Sequence, residues 1–213
     1  LTTQDDGKAS LEPIKNDGQS MKDIDVFFPI MHGPLCEDGT VQGLLELADV
    51  AYVGAGVLGS AVGMDKDVMK RLLRDSGLPV TEFFAVSRDE ISKSLLQKIV
   101  RRIKFPIFVK PANLGSSVGI TKAHNLKELL AAVKNAFQYD TKILLEKYVK
   151  GREIECSVLG NRNPIASIPG EVMPTHEFYS YEAKYIDEHG AALEIPAGGR
   201  TPAARAQGTP PAT

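Results

Sequence analysis

Cysteine is scarce in this chain: Cys36 and Cys156 are the only two in 213 residues, far apart and outside any C-x-x-C pattern. That argues against a disulfide framework or a cysteine-based metal site, and leaves reduced structural thiols as the expectation. A basic excess is also missing. With 25 Lys and Arg against 27 Asp and Glu, the formal net charge is -2, which argues against a nucleic-acid partner. No apolar run approaches the ~18 residues a membrane span needs, and the polar N-terminus carries no signal-peptide pattern. The expectation is a soluble cytoplasmic protein with no membrane partner. There is no repeat at a fixed period and no G-x-x-x-x-G-K-[ST] loop. The segment 198–213, GGRTPAARAQGTPPAT, has no acid, no aromatic and no branched aliphatic residue. It cannot bury enough apolar surface to offset its ordering entropy, so it is expected to be a disordered or non-native tail. Residues 1–23 are polar without a clear period and are expected to be flexible. What the chain does have is 43% hydrophobic residues, ample for a core.

The most informative stretch is Phe108-Val109-Lys110-Pro111-Ala112-Asn113-Leu114-Gly115-Ser116-Ser117-Val118-Gly119. An apolar run delivers a lysine into a small-residue loop with two adjacent hydroxyls. Glycines let backbone N–H groups approach an anion, serines add donors, and the lysine adds charge, so the loop suits phosphate. The plainer alternative is a lysine that snorkels into solvent beside two ordinary turn serines. Downstream, Leu144-Leu145-Glu146-Lys147-Tyr148-Val149-Lys150-Gly151-Arg152-Glu153 is a strand whose two acids flank a Lys-Gly turn. Glu146 could accept from an exocyclic adenine N–H and Glu153 from ribose hydroxyls; two solvated glutamates on a hairpin are the commoner fate of such acids. Taken together, the two segments suggest an ATP site, with Lys110 and Glu146 facing one nucleotide-sized crevice.

Two further loops are candidates. His32 leaves a predicted strand beside Glu37 and Asp38; a lone histidine is more often structural, but such exits are where parallel sheets bind ligands. Tyr181-Glu182-Ala183-Lys184-Tyr185 could be a mobile lid or a surface loop with aromatic anchors.

The pattern predicts a buried strand over 24–30, a helix over 40–47 capped by Thr40, a short strand at 52–53 and a helix near 57–63. A helix over 66–75 capped by Asp65, a strand over 81–86 and a helix over 90–102 capped by Asp89 follow. Then come strand 107–111, loop 112–117, strand 118–121, helix 125–137, strand 142–148, strand 154–159, a β segment over 164–172 and a long loop over 173–190. Strand–helix alternation up to about residue 80 favours a parallel, doubly wound sheet, and the adjacent strands beyond it favour an antiparallel sheet with helices on one face. The fold class is therefore α/β (α+β), with a boundary near residues 62–66.

These segments, in this order, resemble a D-alanine–D-alanine ligase of the ATP-grasp superfamily. His32-Gly33 through Glu37-Asp38-Gly39-Thr40-Val41-Gln42-Gly43 looks like the HGxxGEDGxxQG signature, with Cys36 where that signature has glycine. Gly63-Met64-Asp65-Lys66 looks like (G/A)MDK; the 105–119 segment, E-K-Y-V-K-G-R-E and Tyr181–Tyr185 match as well. The resemblance runs from about residue 24 to 197 and implies the fold: 24–63 as remnant of an N-terminal substrate domain, and 64–197 as a partial ATP-grasp domain. It implies roles too. Lys66 and Lys110 would hold ATP phosphates under the Ser116–Ser117 loop. Glu146, with the backbone of Lys147 and Val149, would read adenine, and Glu153 the ribose. Lys184 would reach the phosphates from the lid, Tyr185 would join Ser116 in a network near the first D-alanine, and His32 would lie near the second. The implied reaction phosphorylates one D-alanine to an acyl phosphate, which the amine of a second then attacks, feeding peptidoglycan assembly; a tyrosine in the lid resembles the dipeptide-forming rather than the D-lactate-using ligases. A homodimer and magnesium are implied as well. The N-terminal glycine-rich turn and the magnesium ligands, an Asp and a Glu-x-Asn, find no match, so no metal residue is nominated. A fragment or frameshifted product, with little activity of its own, is the resulting expectation.

Overall fold

The structure, a computed structural model, describes residues 2–3, 9–10, 25–175, 187 and 190–198. Its contacts divide the chain into two compact units, Leu1–Val149 and Lys150–Thr213. The boundary expected near residues 62–66 falls inside the first.

In the first unit, β1 (Thr2–Thr3) and β2 (Ala9–Ser10) pair antiparallel. The helices α1 (Thr40–Leu47), α2 (Val57–Met64) and α3 (Lys66–Asp75) precede β3 (Phe83–Ser87). Then follow α4 (Lys93–Ile103), β4 (Ile107–Pro111), β5 (Thr121–Ala123), α5 (Leu126–Ala136) and β6 (Lys142–Lys147). Strands β3–β6 form one antiparallel sheet in the order β3-β6-β4-β5.

Register decides which side chains share a face, because directly opposed residues point the same way and neighbours along a strand alternate. Phe84 and Val86 oppose Leu145 and Ile143, which oppose Val109 and Pro111; Ile107 opposes Ala123. This face receives α4 through Leu96, Ile99 and Ile103 and α5 through Leu129, Ala132, Val133 and Ala136, in one apolar cluster. Both helices carry their buried residues at three- and four-residue spacing, the helical period. Asn125 caps α5, its Oδ1 accepting from the Glu128 N–H at 3.0 Å, while the Glu128 carboxylate accepts from the His124 N–H at 2.8 Å. The opposite face presents Phe83, Phe108, Lys110, Leu144 and Glu146. Leu144 is fully buried yet lies outside the helix-side cluster.

The second unit holds β7 (Glu153–Glu155), β8 (Val158–Leu159), β9 (Ile165–Ala166), β10 (Gly170–Pro174) and β11 (Ala191–Glu194). Strands β11-β10-β7 form an antiparallel sheet, and β8 pairs with β9. Arg152 grips the Glu171 carboxylate with two nitrogens, Nε donating at 2.8 Å, and this holds Glu171 below the usual carboxylate range.

Several expectations change. The buried strand over 24–30 reduces, among the described residues 25–30, to one parallel bridge between Phe27 and Tyr52. Val26, Phe28 and Ile30 stand exposed, because an apolar run is buried only where neighbours cover both its faces. Gly39, at φ 96°, occupies the cap position of α1 that Thr40 was expected to take; the Asp38 carboxylate accepts from Thr40 N–H at 3.0 Å and Leu35 N–H at 2.7 Å. Ser92, not Asp89, caps α4, accepting from Leu95 N–H at 3.1 Å. The strand expected at 118–121 starts only at Thr121, because Gly119 still sits in the turn at φ 69°. The 154–159 strand is split at Cys156–Ser157, where the Ser157 N–H turns to the Ser167 hydroxyl at 3.0 Å. Residues 173–174 extend β10, and β11 arises where no strand was expected. Both cysteines are free. The tail beyond Gly198, and residues 1–23 apart from the two short strands, lie outside the described residues.

Candidate functional site

The polar face of the first unit's sheet is built around Glu146 on β6. Two aromatic residues flank it across the sheet, Phe83 on β3 and Phe108 on β4. Lys70, from α3, lies over the Phe83 ring, and Lys110, from β4, over the Phe108 ring, each 5.2 Å from the centroid. Lys110 Nζ donates to Glu146 Oε1 at 2.8 Å, and Lys70 Nζ sits 2.9 Å from Oε2. Burial pushes the Glu146 carboxyl up, but the Lys110 and then the Lys70 ammonium outweigh it and hold the group below the usual carboxylate range. It is a buried carboxylate kept charged by two cations. Lys110 and Glu146, expected to face one crevice, meet in a direct ion pair, because the pairing of β4 with β6 brings both side chains to one face.

Helix α3 is seated on this face at its N-terminus as well. The Asp65 carboxylate caps it, with Oδ1 accepting from the N–H groups of Asp67 at 3.0 Å and Val68 at 3.1 Å, as the sequence predicted. The same carboxylate accepts from Lys142 Nζ on β6 at 2.6 Å, with Asp67 3.5 Å away. Burial raises the Asp65 carboxyl, yet Lys142 and the two backbone donors leave it lowered on balance.

Lys66 folds over the start of the loop after β4. Its ammonium donates to the carbonyls of Pro111 at 3.1 Å, Ala112 at 3.4 Å and Leu114, and its backbone N–H donates to the Ala112 carbonyl at 3.0 Å. Burial, followed by the like charge of Lys110, lowers its pKa to about 8. Beyond it, Ser116 and Ser117 both adopt left-handed backbone, φ 53° and 60°. Such a conformation is uncommon outside glycine and costs about 1–2 kcal/mol per residue. Asn113 anchors the loop, its backbone and side-chain N–H groups donating to Asp140 Oδ2 at 2.8 and 3.0 Å. At Gly119 a side chain would meet Tyr139 at 2.7 Å and Pro111 at 2.9 Å.

A cavity of about 670 Å³ opens beside this loop, lined by His32, Gln42, Met64, Lys66, Leu114 and Gly115 among others. The structure thus brings His32 and Lys66 to one hollow, and Lys110 and Glu146 to a separate cluster that the hollow does not include. Lys147 is exposed at the end of β6, its N–H committed to the Glu82 carbonyl at 3.0 Å. Val149 is exposed. Glu153 lies on β7 in the second unit. Lys184 and Tyr185 lie outside the described residues. Among the described residues no group of three or more His, Cys, Asp or Glu side chains is gathered as an all-protein metal site.

A family model described as "D-ala D-ala ligase C-terminus" matches residues 72–207, more than half of the chain, and one described as "D-ala D-ala ligase N-terminus" matches residues 2–55. The chain belongs to the D-alanine–D-alanine ligase family. The D-alanine–D-alanine ligase of Oceanobacillus iheyensis is 52% identical over 182 residues, covering 85% of this chain and 50% of that protein. That of Thermoanaerobacter sp. (strain X514) is 56% identical over 175 residues, 82% and 49% respectively. The chain spans about half the length of the curated relatives it matches. The solved D-alanine–D-alanine ligase from Coxiella burnetii superposes with a TM-score of 0.67 at 44% identity, over 70% of this chain and 44% of that one. The VanG D-Ala:D-Ser ligase from Enterococcus faecalis gives 0.74 at 35%, over 83% and 51%. The mixed helix and antiparallel-sheet architecture is thus that of the D-alanine–D-alanine ligase family's ATP-grasp fold, in incomplete extent. No helix among the described residues is long and apolar enough to cross a membrane.

Sequence reasoning missed Lys70. A signal was present: Lys66 and Lys70 are four apart on a predicted helix and so share a face. It also missed Lys142, whose partner Asp65 had been assigned only to capping.

Proposed function

We propose that this chain carries the nucleotide-holding part of an ATP-dependent ligase that joins two D-alanines into D-alanyl-D-alanine for peptidoglycan assembly. Residues 24–63 would belong to the substrate domain and 64–197 to the ATP-grasp domain. ATP supplies the phosphoryl group that turns the carboxylate of the first D-alanine into an electrophile. The chain's own part is to bind and orient. Lys66 and Lys110, with the Ser116–Ser117 loop, would hold the phosphate oxygens, and Glu146 would accept from the adenine amino group. Lys147, whose N–H is already committed, would read the base through its carbonyl, and Val149 through its N–H. Glu153 would take the ribose. Lys184 and Tyr185 would close on the phosphates and the first D-alanine together with Ser116, and His32 would lie toward the second. Catalysis of this kind rests on positioning and on cations aimed at anionic oxygens. The protein would work in the cytoplasm as a homodimer.

One observation carries the reading: a buried carboxylate clamped by two lysines, one of which stands next to last on the strand that feeds a left-handed, serine-bearing loop. Calorimetric titration with ATP and magnesium tests it. Saturable binding by the wild-type chain, weakened at least about tenfold in Lys66→Met and in Glu146→Gln, is the expected result for lost charge-assisted hydrogen bonds. Binding that neither variant alters would overturn it. A different second substrate is the alternative reading, since the fold is shared with a D-Ala:D-Ser ligase as well as with D-alanine–D-alanine ligases. Dipeptide formation assayed with D-alanine alone against D-alanine plus D-serine or D-lactate separates these readings. ATP binding without product would instead indicate a non-catalytic nucleotide binder.

A further inference from the structure

Glu146 is held from both sides, and its two holders differ in kind. Lys110 stands at the end of β4, where the chain runs directly into the loop 112–119, and its side chain keeps 21% of its exposure. Lys70 stands in the middle of α3, its side chain only 12% exposed. It is fixed by the Glu146 carboxylate and the Phe83 ring on a helix that is itself pinned by Asp65 and Lys142. A polyanion at the loop competes with Glu146 for Lys110, because a phosphate oxygen is as good a partner for an ammonium as a carboxylate. It competes less for Lys70, which is the more buried of the two ammonium groups and lies over the Phe83 ring.

We propose that Lys70 is a positioning residue of the nucleotide site: it keeps the Glu146 carboxylate oriented as the acceptor for a purine's exocyclic amino group when Lys110 is drawn onto phosphate. This rests on the nucleotide reading given above and assigns it a residue which that reading lacks. Without Lys70, the departure of Lys110 would leave a buried carboxylate with no counter-charge. Such a group turns toward solvent or takes up a proton, and either outcome removes the acceptor. Lys110 and Lys70 thereby divide the work, the first serving the phosphates and the second the base.

The division is tested with two probes, ATP and inosine triphosphate, whose 6-position carries a carbonyl oxygen in place of the amino group and so offers a carboxylate no exocyclic N–H. Affinities of both are measured by calorimetry on the whole chain and on Lys70→Met, Lys70→Arg and Lys110→Met, with circular dichroism to verify folding. The wild-type protein should prefer ATP by about tenfold or more, the size of one charge-assisted hydrogen bond. Lys70→Met should lose that preference through weaker ATP binding, with inosine triphosphate unchanged, and Lys70→Arg should restore most of it. Lys110→Met should weaken both nucleotides and keep their ratio, an outcome readable even if Lys70→Met fails to fold. Equal weakening of both probes in Lys70→Met, or loss of the ratio in Lys110→Met, overturns the proposal. A wild-type protein that binds both probes equally would remove Glu146 from base recognition, and the proposal falls with it; no binding of either probe defeats the nucleotide reading itself.

Discussion

Leu145 and Glu146 are neighbours in the chain and serve opposite faces of one sheet. Leu145 is fully buried against α4 and α5, among residues with no charge to satisfy. Glu146 is almost as buried, yet it is surrounded by Lys70 and Lys110. The strand's two-residue alternation separates the residue that holds the fold from the one that offers chemistry. The lesson is that burial alone does not assign a role; what the buried group is paired with does.

Substitutions can break the two faces separately. Leu145→Ala should have the largest effect, about 2–5 kcal/mol of stability in urea unfolding, because the deletion leaves a cavity in close-packed surroundings. Gly119→Ala, at the loop that leaves the charged face, should cost about 1–3 kcal/mol, since the residue must keep φ 69° and its new methyl group meets Tyr139 and Pro111. Asp65→Ala should cost about 1–2 kcal/mol through loss of the α3 cap, together with a measurable drop in ATP affinity as Lys66 and Lys70 lose their seat. The same change at the cap of α4, Ser92→Ala, should reduce stability by a similar amount and leave ATP affinity alone.

Acid gives the mildest contrast. The folded-state pKa values of Glu146 and Asp65 lie below their ordinary 4.5 and 3.8. Between the two values the unfolded chain binds more protons, so their contribution is present above about pH 4.5 and fades as pH falls through the folded values. The urea midpoint should decline below about pH 4.5 and decline less steeply in Glu146→Gln. An unchanged slope in that variant would count against the ion-pair account.

Much of the helix-covered face was legible in the chain. Ile107, Val109 and Pro111 alternate along β4, Asp65 stands where a cap belongs, and the apolar period of 125–137 marks α5. These are local signals, carried by residues a few positions apart. Ser92 was overlooked because Asp89 is an equally good cap three residues earlier and only tertiary packing chooses between them. β11 was overlooked because its strand character comes from pairing with β10, some twenty residues away, and not from its own alanine-rich run. The charged face was legible in part for the same reason. Lys110 and Glu146 were found through their motifs, but the pairing of Lys70 with a carboxylate 76 positions later leaves no local trace. His32 and Lys66 were both nominated, and only the fold reveals that they line one hollow.

The most direct test of the division between faces is amide hydrogen exchange with and without saturating ATP. The account predicts slowed exchange in the loop 112–119, at Lys66–Lys70 and at Glu146, with no change in Lys93–Ile103 or Leu126–Ala136. Protection confined to those two helices, with the loop and α3 untouched, would contradict it.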